Sequence, residues 1–194
     1  MRIIETKAYE FNELSEKAKE RVIDKFRHDS EIYLDFFNED CIEIAEEKGF
    51  MGIELQHSLS YCQGDGLSFS SKEYTKLEEL YLKQLGKGKE KTAKLLAENT
   101  TFICTGSVGR YCFASSSDID IYIENYTSSI NTDLENINEV VKNVLQELEN
   151  IYVDLCSKLE KRGYEDIEHQ LSDEYIIESI TCNEYEFTEE GNII

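Results

Sequence analysis

The chain has 194 residues, 41 acidic against 20 basic, for a formal net charge of −21, with six Cys, three His, twelve Tyr, no Pro and no Trp. This length suits one domain, or one domain with a helical appendage, and a hydrophobic share of 40% can build a core, which excludes wholesale disorder. No apolar run approaches the ~18–20 residues of a membrane span, Met1-Arg2-Ile3-Ile4-Glu5 lacks the basic and apolar regions of a signal peptide, and the charge excludes ordinary binding to phosphate backbones.

Ile3, Ile4, Ala8 and Tyr9 sit in a short extended start. Ser15 opens an amphipathic helix with Ala18, Val22 and Phe26 inward. Ser30 caps a second helix, with Ile32, Phe36, Phe37, Cys41, Ile44 and Ala45 on its inner face, and Gly49 ends it. Residues 53 to 61 alternate: Ile53, Leu55, His57, Leu59 and Tyr61 share one face of a half-buried strand. Cys62-Gln63-Gly64-Asp65-Gly66 is a turn whose two glycines supply positive φ, and Leu67 and Phe69 return the chain as a second strand. His57 reads as a satisfied residue of the core or its rim.

A helix follows over about 72–85, with Tyr74, Leu77, Tyr81 and Leu85 inward, broken by Gly86-Lys87-Gly88-Lys89; a shorter helix runs to Glu98. Thr100 to Thr105 is a strand. Ser117 to Glu124 is the sharpest strand, with Ile119, Ile121 and Ile123 inside and Asp118, Asp120, Tyr122 and Glu124 outside. A long helix begins near Asn131. Its Leu134, Ile137, Val141, Val144, Leu148, Ile151 and Leu155 repeat at spacings of 3 and 4, a coiled-coil-like seam that suits packing on its own domain or homodimerisation. Gly163 reads as its stop. Ser172 caps a last helix with Ile176, Ile177 and Ile180 inward, and Tyr185 to Thr188 adds an edge strand. The expected fold is α+β: an antiparallel sheet with packed helices and one long acidic helix in the C-terminal half. The expected division is a core of residues 1–130 and a helical part of residues 131–194 packed on it.

The cysteines, Cys41, Cys62, Cys104, Cys112, Cys156 and Cys182, form no C-x-x-C pair, and His28, His57 and His169 lie far apart. Metal-ligand spacing is therefore absent, and neither a metal nor a cofactor is expected. The cysteines read as reduced, buried thiols of a cytosolic protein.

The acidity is uneven. Asp133 to Glu190 holds 17 acidic residues against four basic, a net of −13. Glu135, Glu139, Glu147 and Asp154 occupy polar positions of the long helix, and such an excess favours a basic partner that offsets self-repulsion. Asp118 and Asp120, two apart on a strand, are spaced ~6.6 Å. That is the scale of neighbouring phosphates on a nucleic-acid strand, whose axial repeat is ~3.4 Å. These carboxylates, with Glu124 and with Tyr61 and Asp65 at the hairpin tip, are the candidate partner contacts; no catalytic residue is assigned.

Gly106-Ser107-Val108-Gly109-Arg110 followed by Asp118-Ile119-Asp120 is similar to the signature of nucleotidyltransferases related to polymerase β. In those enzymes a Gly-Ser turn holds the triphosphate and the D-x-D pair binds two Mg²⁺ ions, because two carboxylates on one strand face can ligate neighbouring metals. No third carboxylate on a later strand is evident. This leaves an enzyme or antitoxin using Ser107, Asp118 and Asp120 as the first alternative. The second is a sponge for a nucleotide signal, with Lys87, Lys89, Lys91 and Arg110 as its basic pocket.

The opening, residues 3–19, the hairpin Ser58-Leu59-Ser60-Tyr61-Cys62-Gln63-Gly64-Asp65-Gly66-Leu67-Ser68-Phe69, and the ending from Leu171 to Gly191 resemble a widespread family of small acidic proteins. These are encoded by phages and mobile elements of low-GC Gram-positive bacteria. The resemblance implies a phage accessory protein of the anti-defence, anti-CRISPR kind. It would act in the host cytosol by binding a bacterial defence protein, best a CRISPR effector nuclease, without contacting nucleic acid or membrane itself.

Overall fold

A computed structural model of the chain describes residues 7–107, 111–124 and 134–194, and in the last segment side chains from residue 136 onward. In chain order the elements are β1 (Tyr9–Glu10), a 3-10 turn (Phe11–Glu13), α1 (Glu16–Asp29), α2 (Asp35–Glu47), β2 (Phe50–Met51), β3 (Glu54–Ser58), β4 (Gly66–Ser70), β5 (Glu73–Tyr74), α3 (Leu77–Leu85), α4 (Glu90–Glu98), β6 (Thr100–Thr105), a 3-10 turn (Ala114–Ser116), β7 (Asp118–Ile123), α5 (Leu134–Gln170), α6 (Asp173–Cys182) and β8 (Glu186–Phe187). The fold is α+β. Among the described residues the strands form four two-stranded antiparallel ladders, β1–β8, β2–β5, β3–β4 and β6–β7, instead of one continuous sheet. No helix among the described residues is long and apolar enough to cross a membrane.

The chain divides into two compact units, Met1–Leu34 with Tyr164–Ile194, and Asp35–Gly163, so the breaks do not fall at 130/131. The first unit joins the two ends of the chain. β1 pairs with β8, Tyr9 opposite Phe187, which bears out the terminal edge strand. Ser15 caps α1 by accepting from the Ala18 N–H, as its position predicts. Phe11, Leu14, Ala18, Val22, Ile176, Ile180 and Phe187 form this unit's core. Ile3 and Ile4 lie outside the described residues.

The second unit is built on the expected hairpin. β3 and β4 pair from Glu54–Ser70 to Ser58–Gly66. The isolated bridge Ser71–Cys104 ties the end of β4 to β6, which pairs with β7 from Thr100–Ile123 to Thr105–Asp118. Tyr152 of α5 locks this assembly. Its hydroxyl donates to the Phe69 carbonyl (2.8 Å) and accepts from the Phe69 N–H (2.9 Å) and Ser117 Oγ (2.9 Å). One proton and two lone pairs satisfy all three contacts.

Several expectations are corrected. Ser30 ends α1 instead of opening α2; its hydroxyl donates to the Phe26 carbonyl at 2.5 Å. Because α2 starts at Asp35, its buried stripe is Phe37, Cys41 and Ala45, while Ile32 precedes the helix and Phe36 is 83% exposed. The helix expected over 72–85 begins at Leu77, because Tyr74 packs on Phe50 (4.8 Å between ring centres) as part of the β2–β5 ladder. Gly163 does not stop α5, which runs on to Gln170. A Cβ there would lie 2.5 Å from Leu59 Cδ1 and 2.8 Å from Phe37 Cζ, so the glycine serves close packing. Ile137, Val144, Leu148 and Leu155 of the α5 seam are buried in their own unit, the first of the two readings of that repeat.

Candidate functional site

The β6–β7 ribbon has two chemically distinct faces. Cys104 and Ile121 are buried, and Phe102, Ile119 and Ile123 are half-buried beside them. The opposite face exposes Ile103, Thr105, Asp118, Asp120 and Tyr122, with Asp118 opposite Thr105 and Asp120 opposite Ile103. Asp120 Oδ1 accepts from the Ile121 N–H at 2.8 Å. Among the described residues, neither Asp118 nor Asp120 is paired with a cation. Glu124 accepts from the Thr101 hydroxyl, and its N–H donates to the Asn99 carbonyl. The bond from Ser117 to Tyr152 fixes the start of β7, so the two aspartates stand on a strand held at its root and along its length.

The hairpin tip is built around Asp65, which is buried (9% exposed) rather than presented at the surface as expected. Its carboxylate accepts from Ser58 Oγ (2.9 Å), the Ser60 N–H (2.7 Å), the Cys62 N–H (3.0 Å) and the Cys62 thiol (3.1 Å). Asp65 therefore shapes the loop and is withdrawn from partner contact. Tyr61 is 61% exposed and adopts φ +55°, a left-handed conformation that side chains disfavour. Gly64 supplies positive φ (+109°) and Gly66 does not; Gly66 begins β4, where a Cβ would meet the Cys112 carbonyl oxygen at 2.8 Å. The Tyr111 ring lies over Gly64 and stacks on Phe113 at 5.6 Å. Tyr61, Tyr111 and Phe113 are all exposed aromatics, and the last two were not singled out by sequence.

A cleft of about 590 Å³ separates β3–β4 from the segment after β6 and is lined by Gln56, His57, Ser70, Gly106, Ser107 and Cys112, among others. The Gly-Ser donors are already committed. The Gly106 N–H donates to Ser70 Oγ (2.9 Å), the Ser107 N–H to Ser68 Oγ (3.1 Å), and Ser107 Oγ to the Tyr111 carbonyl (2.5 Å). Val108, Gly109 and Arg110 lie outside the described residues. His57 donates from Nε2 to Asn38 Oδ1 (2.7 Å) and meets the Phe37 ring edge-on, as expected for a satisfied rim residue. Burial lowers its pKa. Burial, and then the nearby Asp65 charge, raises the Cys112 thiol.

The helix acids differ in their availability. Glu139 is exposed. Glu147 is largely shielded, accepting from Lys83 Nζ (2.6 Å) and Gln84 Nε2 (3.2 Å). Asp154 pairs with Lys158 one turn on, at 2.6 Å. The Glu135 side chain lies outside the described residues. Among the cysteines, Cys41, Cys104 and Cys156 are buried, each thiol pushed up to about 12 chiefly by burial, whereas Cys62 and Cys182 are exposed. Among the described residues no group of three His, Cys, Asp or Glu is arranged to hold a metal ion. Comparison with protein-family models, with curated proteins and with solved structures finds no match to this chain.

Proposed function

We propose that this protein is a non-enzymatic, phage-encoded inhibitor that binds a bacterial defence protein, best a CRISPR effector nuclease, in the host cytosol. It occupies a basic groove built for nucleic acid. The observation that carries the reading is the outer face of β7, where Asp118 and Asp120 stand exposed on a hydrogen-bonded strand and form no ion pair among the described residues. Their spacing of ~6.6 Å suits lysines and arginines placed for phosphates. A net charge of −21 adds long-range attraction to such a groove. The family resemblance of the hairpin and both ends points the same way. For the nucleotidyltransferase alternative, a phosphate-holding turn needs open donors, and the Gly106 and Ser107 amides are spent on Ser70 and Ser68.

The test is competition between this protein and labelled target DNA for a purified, guide-loaded CRISPR effector nuclease, at low and high salt. The wild type is expected to displace DNA, more weakly as salt rises. Charge reversal by Asp118→Lys with Asp120→Lys is expected to weaken displacement by at least about tenfold. Displacement indifferent to both salt and charge reversal would overturn the reading.

A further inference from the structure

The unit formed by the two chain ends carries a different kind of surface. Ile32, Tyr33, Tyr175, Tyr185 and Ile193 are 38–66% exposed, yet all of them line one cavity of about 320 Å³. Scattered apolar side chains on a surface need no explanation; five around one cavity do.

The cavity is held open by local bonds. Gln170 clamps the Tyr33 backbone, accepting its N–H at 3.1 Å and donating to its carbonyl at 2.8 Å, while Asp166 accepts from the same amide group at 3.0 Å. The Tyr33 ring is left 66% exposed, and its hydroxyl donates to Glu31 at 3.1 Å. Tyr185 packs edge-on against Phe26, with ring centres 5.2 Å apart. Aromatic walls fixed in advance lower the entropic cost of binding.

The charge around these rings leans acidic. Among the described residues, Asp29 and Glu31 line the cavity with one base, Lys25. A second depression, of about 470 Å³, shares Tyr185 and adds Glu10, Glu184 and Glu186, with no base among the described residues of its lining. Tyrosine faces beside carboxylates complement a planar, weakly hydrated cation, which stacks on a ring while its N–H groups reach the acids. They repel an anion and leave a neutral apolar side chain without use for the acids.

We propose that this aromatic groove captures an arginine side chain on an exposed basic segment of a protein partner. The inference does not rest on the β7 reading, and the two fail separately. The test is fluorescence anisotropy of a labelled, amidated peptide of alternating glycine and arginine, titrated with the full chain. A matched peptide carries citrulline, which keeps the shape and removes the charge. The arginine peptide is expected to bind and the citrulline peptide to lose binding. Tyr33→Ala and Glu31→Gln should each weaken binding about fivefold, and Tyr33→Phe should stay within about twofold. Asp118→Asn with Asp120→Asn should leave peptide binding unchanged, whatever it does to DNA competition. Equal binding of the two peptides, wild-type binding by both Tyr33→Ala and Glu31→Gln, or loss of binding only in the β7 variant would each overturn the proposal.

Discussion

Replacing Asp65 with alanine removes an acceptor that four groups share: Ser58 Oγ, the Ser60 and Cys62 N–H groups, and the Cys62 thiol. A hydrogen bond to a charged group contributes ~1.5–3 kcal/mol net, and a neutral one about 1. The two backbone bonds dominate, at 2.7 and 3.0 Å, but Ser60 and Cys62 are themselves exposed, so water replaces part of what they lose. The expected cost is about 3 kcal/mol. Asp65→Asn is more informative. Its oxygen can still receive both N–H groups, and its amide can donate to Ser58 Oγ, so about 1–2 kcal/mol is expected. The variants also test the left-handed Tyr61, at φ +55°, because the loop that holds it would relax. Urea unfolding followed by far-ultraviolet circular dichroism gives the stabilities, and limited proteolysis reports whether residues 59–65 open first. An alanine variant within ~0.5 kcal/mol of wild type, or an asparagine variant no better than alanine, would refute the role assigned to this carboxylate.

Two further outcomes follow from the same unit. Gly163→Ala should destabilise by about 1–2 kcal/mol despite the better helix propensity of alanine, since the new methyl meets Leu59 Cδ1 and Phe37 Cζ at 2.5 and 2.8 Å; urea unfolding checks it, and a gain in stability would contradict it. His57 makes stability pH-dependent. Burial holds its folded pKa below the ordinary 6.5, so its contribution is complete above that value. As pH falls below 6.5 the unfolded chain takes up the proton first, and stability drops until the lower folded pKa is passed. Thermal melts of wild type and His57→Gln across this range should show the variant with the flatter profile, and parallel profiles would count against the assignment.

The elements legible in the sequence were those with a period or a cap. The strict alternation around Ile119–Ile123 located β7 to within a residue at each end, and Ser15 and Ser172 marked the starts of α1 and α6. What sequence missed came from tertiary contacts that override local preference. Two residues of β2, Phe50–Met51, carry no periodicity, yet they draw Glu73–Tyr74 out of the helix expected there. Gly163 reads as a stop because glycine in a helix interior is unfavourable; only the proximity of Leu59 and Phe37, more than a hundred residues earlier, explains its place. The division into units was hidden for the same reason, since it depends on the first and last segments meeting through β1–β8. At the hairpin tip, a Gly-Asp-Gly triplet looks like an exposed turn, and nothing local says that the aspartate points inward to gather its own loop.

Charge is the clearest case of a composition signal that structure redistributes. Counted along the chain, the acids of α5 outweigh those of β7, and the helix looks like the natural face for a basic partner. Counted by what each carboxylate already does, the order changes. Glu147 is shielded by Lys83 and Gln84, Asp154 is tied to Lys158, and Asp65 is consumed by its loop. Breaking such a pair to serve a partner costs part of what the new contact returns, whereas Asp118 and Asp120 have no cation to give up among the described residues. The shorter Asp118 and Asp120 side chains also have less rotamer freedom to lose on binding than the longer Glu139. Single charge reversals should therefore affect partner binding more at Asp118 or Asp120 than at Asp154, with Glu139, exposed on the helix, between them. Isothermal titration against the guide-loaded effector nuclease would rank the four, and a larger loss at Asp154 than at Asp118 would move the proposed contact from the strand back to the helix.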